Sequence, residues 1–195
     1  MQNFDDILAD RGRTDNDRRH QFKASVVWTT NYFNGSHRLA HALLDGWTVS
    51  GIVRLRSGRP LTITAGRDAN NDGNNNDRAD LVPGIDPTLD PDRPRDEVIR
   101  EWFNTDAFAA PANLTDGSSP RNFIDGPGSK LVDIGLYRDF PLGGGRKLQL
   151  RMEATNALNF VNLANPTTNI RSGSFGEIDE AGPMRRIQLG ARFSF

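Results

Sequence analysis

The stretch Asp68-Ala69-Asn70-Asn71-Asp72-Gly73-Asn74 carries the most explicit chemistry in this chain. Oxygen-bearing side chains stand at alternate positions, Asp68, Asn70, Asp72 and Asn74, and a glycine follows the third of them. This is the first half of a calcium loop. Hard oxygen donors suit a hard divalent cation, alternate side chains converge on one side, and the glycine permits the sharp turn. A complete loop places a bidentate Glu at its twelfth position, which here is Ala79, with Asp77 and Asp80 nearby. Asn, Asp and Gly also favour solvated turns for purely local reasons. Two expectations follow, a Ca2+ site within 68–80 and a plain turn.

Other chemistry is sparse. His37 and His41 are four apart and could share a helical face, but no third ligand stands near them, and His20 is remote in sequence. With no cysteine, neither a disulfide framework nor a thiolate metal site is possible. There is no G-x-S-x-G and no G-x-G-x-x-G opening a helix. Arg151 and Glu153 alternate too closely to act as a catalytic pair, so no catalytic residue is assigned and the chain is not expected to be an enzyme. A formal net charge of −1 gives no electrostatic case for nucleic acid.

The elements that would position these residues are strands. Five segments alternate with period two: His20–Thr30, Gly46–Ala65, Ser129–Phe140, Arg146–Ala157 and Arg185–Phe195. In the second, Trp47, Val49, Val53 and Leu55 fall on one face, with Thr48, Ser50, Arg54 and Arg56 on the other. In the fourth, Leu148, Leu150, Met152 and Ala154 oppose Lys147, Gln149, Arg151 and Glu153. The last alternates through Ile187, Leu189, Ala191 and Phe193 and stops on Phe195. Strands of this length suit a tilted bilayer crossing better than an average soluble sheet. Trp28, Trp47 and Phe140 fall near strand ends, where interfacial aromatics sit. No run approaches the roughly 20 apolar residues of a membrane helix, and a mean hydropathy of −0.59 is compatible with a barrel, where only alternate residues meet lipid.

The connections alternate in length. Pro141 to Gly145 is a tight glycine turn, and Asn31 to Asp45 is moderate, with a short helix expected over Leu39–Leu44. Gly66–Gly128 and Leu158–Met184 are long. Long outer loops with short periplasmic turns are the outer-membrane pattern. Within the first long loop, Asp96–Phe103 reads as a helical turn or two, with Val98, Ile99, Trp102 and Phe103 as its apolar stripe. The expected fold is therefore all-β: about five antiparallel strands of a transmembrane β-barrel. The organisation is an outer-loop tail at 1–19, a strand pair at 20–65, an outer loop at 66–128, a hairpin at 129–157, a second outer loop at 158–184 and a terminal strand at 185–195. Five strands cannot close a barrel. The first residues also lack the basic start and apolar stretch of a signal peptide. They leave open a cytoplasmic chain or, as the strands suggest, the C-terminal piece of a larger barrel.

Several strings resemble TonB-dependent outer-membrane receptors of the branch with a carboxypeptidase-regulatory-like N-terminal domain. They include D-R-R-H-Q-F (17–22), L-L-D-G-W-T-V-S-G-I (43–52), D-A-N-N-D-G-N-N-N-D-R (68–78), W-F-N-T-D-A-F (102–108) and G-P-G-S-K-L-V-D-I-G-L (126–136). The series continues with L-Q-L-R-M-E-A-T-N-A-L-N (148–159) and R-R-I-Q-L-G-A-R-F (185–193), so the resemblance spans roughly residues 17 to 195. It implies a barrel of 22 strands with an N-terminal plug and energy-coupled uptake of a solute across a Gram-negative-type outer membrane. It also implies the partners: outer-membrane lipid, the remaining barrel strands and plug, the outer-membrane assembly machinery, and an inner-membrane energy-coupling protein. Arg54, Arg56, Arg151 and Glu153 would face the lumen, and Phe193 and Phe195 would form the assembly signal. The rival expectation is a soluble β-sandwich binding module with a calcium-stabilised loop.

Overall fold

The computed structural model describes residues 6–32, 41, 44–75 and 77–195. Its principal element is one five-stranded antiparallel sheet. β1 (Gln21–Thr29), β2 (Trp47–Arg56), β7 (Ser129–Gly143), β8 (Arg146–Thr155) and β9 (Arg186–Ser194) lie in that order, each paired with its neighbour. The short connections close one end of this sheet. Thr30 N–H donates to Trp47 O (2.8 Å) and Gly46 N–H to Thr30 O (2.9 Å). Gly143, Gly144 and Gly145 carry φ of +80°, +60° and +79° between β7 and β8. Three successive left-handed conformations are tolerated only by glycine. The expected helix at Leu39–Leu44 and His37 lie mostly outside the described residues.

Register fixes the faces, because directly paired residues project to the same side. Trp28↔Val49, Val49↔Leu136, Leu136↔Met152 and Met152↔Leu189 form one continuous apolar row across five strands. Rows on either side, such as Ile134↔Ala154↔Ile187, repeat it. None of these side chains is buried, and Leu189 is 76% exposed.

Every fully buried apolar side chain among the described residues belongs to a second unit, built from residues up to Arg19, Ser57–Gly128 and Asn162–Gly182. This differs from the sequence expectation in three places. Residues 57–65 do not continue β2. The ladder stops at Arg56, and Pro60, which has no N–H to donate, opens β3 (Pro60–Leu61), which pairs with β6 (Ile124–Asp125). The long connection is folded rather than open. β4 (Asp80–Leu81) pairs with β5 (Phe108–Ala109), and Leu61, Ile63, Ala79, Phe103, Ala107, Phe108 and Ile124 form a core. Phe103 packs edge-to-face on Phe108 (5.6 Å, 80°) and on Phe175 (5.3 Å, 65°). Burying each such side chain contributes about 1.5–3 kcal/mol. Finally, α1 spans only Arg95–Arg100. Trp102 N–H is drawn to Gly176 O (2.9 Å), which takes the chain off the helical path and turns Phe103 into the core instead of onto a helix stripe.

The segment before β1 is pinned to this unit by charge. Asp6 Oδ1 accepts from Leu8 N–H and Ala9 N–H and caps the 3-10 turn Ile7–Asp10. Arg78 pairs with Asp10 and donates to Ser119 O (2.8 Å) and Ala9 O (3.1 Å). Arg13 bridges Asp17 (2.7 Å) and Asp125, and these bonds raise its already high pKa.

Candidate functional site

The sheet offers two chemically opposed surfaces. Ten residue steps separate Phe140 from Lys130 on the apolar face of β7; at about 3.3 Å each they span roughly 33 Å. At a tilt of about 40° this is close to the 25 Å apolar band of an outer-membrane barrel. Trp28, Trp47, Phe140 and Phe193 lie on this face toward the end closed by the short turns, forming an aromatic row. Arg138 stands one step inside that row. Its guanidinium stacks on Trp47 (5.3 Å) and Phe140 (4.8 Å), an arrangement that holds a cation at an interface.

The opposite face is polar. Lys23↔Arg54, Gln21↔Arg56, Tyr137↔Arg151 and Gly135↔Glu153 place Arg54, Arg56, Arg151 and Glu153 on this one side. Arg54 Nη2 donates to Asp133 Oδ2 (2.5 Å), whose Oδ1 accepts from Asn156 N–H (3.0 Å). Tyr137 Oη donates to Glu153 Oε1 (3.1 Å). Tyr137 lies over Gly135, where a Cβ would stand 2.5 Å from its hydroxyl, and Arg151 lies over Gly190, where a Cβ would stand 2.7 Å from its Nε. The glycines are thus floor space for the long polar side chains. Basic residues dominate: Lys23, Arg54, Arg56, Lys147, Arg151, Arg186 and Arg192 against Asp133, Asp139 and Glu153.

Phe193 pairs with Leu148 on the apolar face, and Phe195 lies just past the end of β9, 98% exposed, their rings 6.0 Å apart. The ladders of β1 and β9 each run on one side only.

In the loop unit, a cavity of about 270 Å³ opens between Thr88, Arg93, Val98, Trp102, Phe123 and Asp125. Arg93 is fixed by bonds to Asp90 O (2.9 Å) and Glu101 O (2.8 Å), and Trp102 Nε1 donates to Asp125 O (2.8 Å). The walls of this cavity combine aromatic rings with a few oriented polar groups. Sequence reasoning missed it, because its walls come from separated stretches with no common period. The W-F-N-T-D-A-F string was the one available signal.

Asp68, Asn70, Asp72 and Asn74 form a tight turn. Asp68 accepts from Asp72 N–H (3.1 Å) and Gly73 N–H (2.9 Å), Asn70 Oδ1 from Asp72 N–H (3.0 Å), and Asp72 Oδ1 from Asn74 N–H (2.8 Å). Ala79 and Asp80 stay out of it: Ala79 is buried, and Asp80 accepts from Ser118 N–H (2.9 Å). Among the described residues no three His, Cys, Asp or Glu side chains converge as a preformed metal centre. His41 lies 3.9 Å from Asp45.

An antiparallel sheet with a lipid-height apolar face, an aromatic row and a polar reverse face is the wall of a transmembrane β-barrel. A sequence model of the outer membrane beta barrel domain matches residues 1–188, and the chain belongs to that family. The protein is therefore an all-β component of the outer membrane, and the soluble-sandwich expectation is set aside. No curated protein and no solved structure gives a match.

Proposed function

We propose that this chain is the C-terminal part of a TonB-dependent receptor that takes up a scarce, anionic solute across the outer membrane. The observation that carries this reading is the two-faced sheet, whose polar side is strongly basic while its apolar side has bilayer height. Rings of Arg and Lys favour anions in a bore. The sheet's outer edges call for further strands, since an unpaired edge is not tolerated in hydrocarbon. These strands and a plug would complete the transporter. Phe193 and Phe195 on β9 would be read by the assembly machinery, and an inner-membrane coupling protein would supply energy through the part that carries the plug. The loop-unit cavity would make the first contact with the solute. The resemblance of the strings at 43–52, 126–136 and 148–159 to that receptor branch supports the assignment. No catalytic role is proposed.

The test is uptake of radiolabelled small anions by cells expressing the complete reading frame, with and without a protonophore. Uptake is expected to stop when the proton gradient collapses, and to fall in R54E and R151E variants that still reach the membrane. Uptake that survives the protonophore would reduce the protein to a passive pore, and indifference to both charge reversals would remove the anion.

A further inference from the structure

We infer that Asp68, Asn70, Asp72, Asn74 and Asp77 form a single Ca2+ site whose decisive ligand is Asp77. The sequence motif alone would not carry this, because every carboxylate in the turn already accepts backbone N–H groups. Asp77 adds an independent observation. It is fully buried, and its Oδ2 accepts from Ala69 N–H (2.5 Å) and Asn70 N–H (3.0 Å), which clamps the carboxylate against the first residues of the turn. Its other oxygen, Oδ1, is held at that same turn, buried and without a hydrogen-bond partner. A buried carboxylate oxygen without a donor is costly, and a cation relieves the cost.

Arg67 is committed to Asn113 Oδ1 (2.5 Å) and Pro111 O (2.7 Å), and Arg78 to Asp10, Ser119 and Ala9. Further negative charge gathers instead, since Asn70 Nδ2 donates to Asp116 Oδ1 (2.9 Å).

The donors suit calcium. A carboxylate has about four lone-pair positions, so Asp68 and Asp72 keep capacity after accepting their N–H bonds, and Asn70 and Asn74 supply neutral oxygens. Gly73 holds φ of +90° with open space where a Cβ would stand, the backbone shape a metal loop requires at that point. Closing on the ion needs Asp68 and the exposed Asp72 to swing toward Asp77. A mixed, adjustable oxygen set of this kind fits the irregular six-to-eight coordination of Ca2+ and not the strict octahedron of Mg2+. With Ala79 where a bidentate Glu would stand, the affinity belongs with extracellular modules, about 0.1–1 mM.

The experiment is calorimetric titration of Ca2+ into the chelator-treated full chain in detergent, with Mg2+ as comparison. One site in that range is expected, with Mg2+ markedly weaker. D77N and D72N are each expected to weaken binding by about tenfold or more. Asp72 is exposed, so D72N keeps the fold and reports binding even if D77N does not fold. No Ca2+ heat up to about 10 mM, equal binding of Mg2+, or wild-type affinity in D72N would each overturn the assignment.

Discussion

Phe103→Ala is the sharpest probe of the claim that this chain keeps its hydrophobic core in its loops. Phe103 is 2% exposed and makes edge-to-face contacts with both Phe108 and Phe175. Truncating a buried Phe to Ala costs about 3–5 kcal/mol, the lower figure applying where neighbours collapse into the space. Here two ring pairs are lost at once, each worth about 0.5–1.5 kcal/mol beyond area. A value near 4 kcal/mol follows, which is about a thousandfold in the opening equilibrium. Hydrogen exchange in detergent reads it directly. The amides of Ala79 (to Ile63 O, 3.0 Å), Val82 (to Ala107 O, 2.9 Å) and Trp102 (to Gly176 O, 2.9 Å) should lose protection together. If they lose less than about 1 kcal/mol of protection, the loop core is not a stabilising unit and the reasoning is wrong.

Three further outcomes are expected. Leu189→Arg should cost about 2–4 kcal/mol in a urea titration from phospholipid vesicles, whereas Gln188→Arg on the polar face should be near neutral; equal effects would deny the lipid face. Arg78→Met removes the cation that pairs with the nearly buried Asp10, so loop-unit stability should fall by about 3–5 kcal/mol, with partial recovery in the Asp10→Asn double variant. The third concerns acid. Asp15 is held below its ordinary 3.8 by the Asn122 amide first and by Arg121 next. A lowered folded-state pKa contributes stability that is present above the ordinary value and lost as pH falls through the folded one. D15N should therefore flatten the acid limb of a melting-temperature profile below about pH 4, and an unchanged limb would count against the bond.

The sheet was legible because a tilted strand repeats one decision every second residue. The five strands, the second of them ending at Arg56 and not at Ala65, and the common face of Arg54, Arg56, Arg151 and Glu153 follow from parity. The loop unit obeys no such rule. Ile63, Ala79 and Phe103 meet from distant places, the first two each flanked by polar neighbours, and only tertiary pairing such as β3 with β6 identifies them as interior. The same blindness left Asp77 as a mere neighbour of the expected ligand position. The motif template directed attention to the twelfth position, while burial, which no local pattern encodes, singles out the tenth.

The loop core also implies a timetable. Ile170 and Phe175 reach it from the stretch after β8, so Phe103 and Phe108 lack these neighbours until that stretch has been delivered. During biogenesis, resistance of the 57–128 stretch to protease should arrive late and abruptly, making the 162–182 stretch a completion mark for this unit.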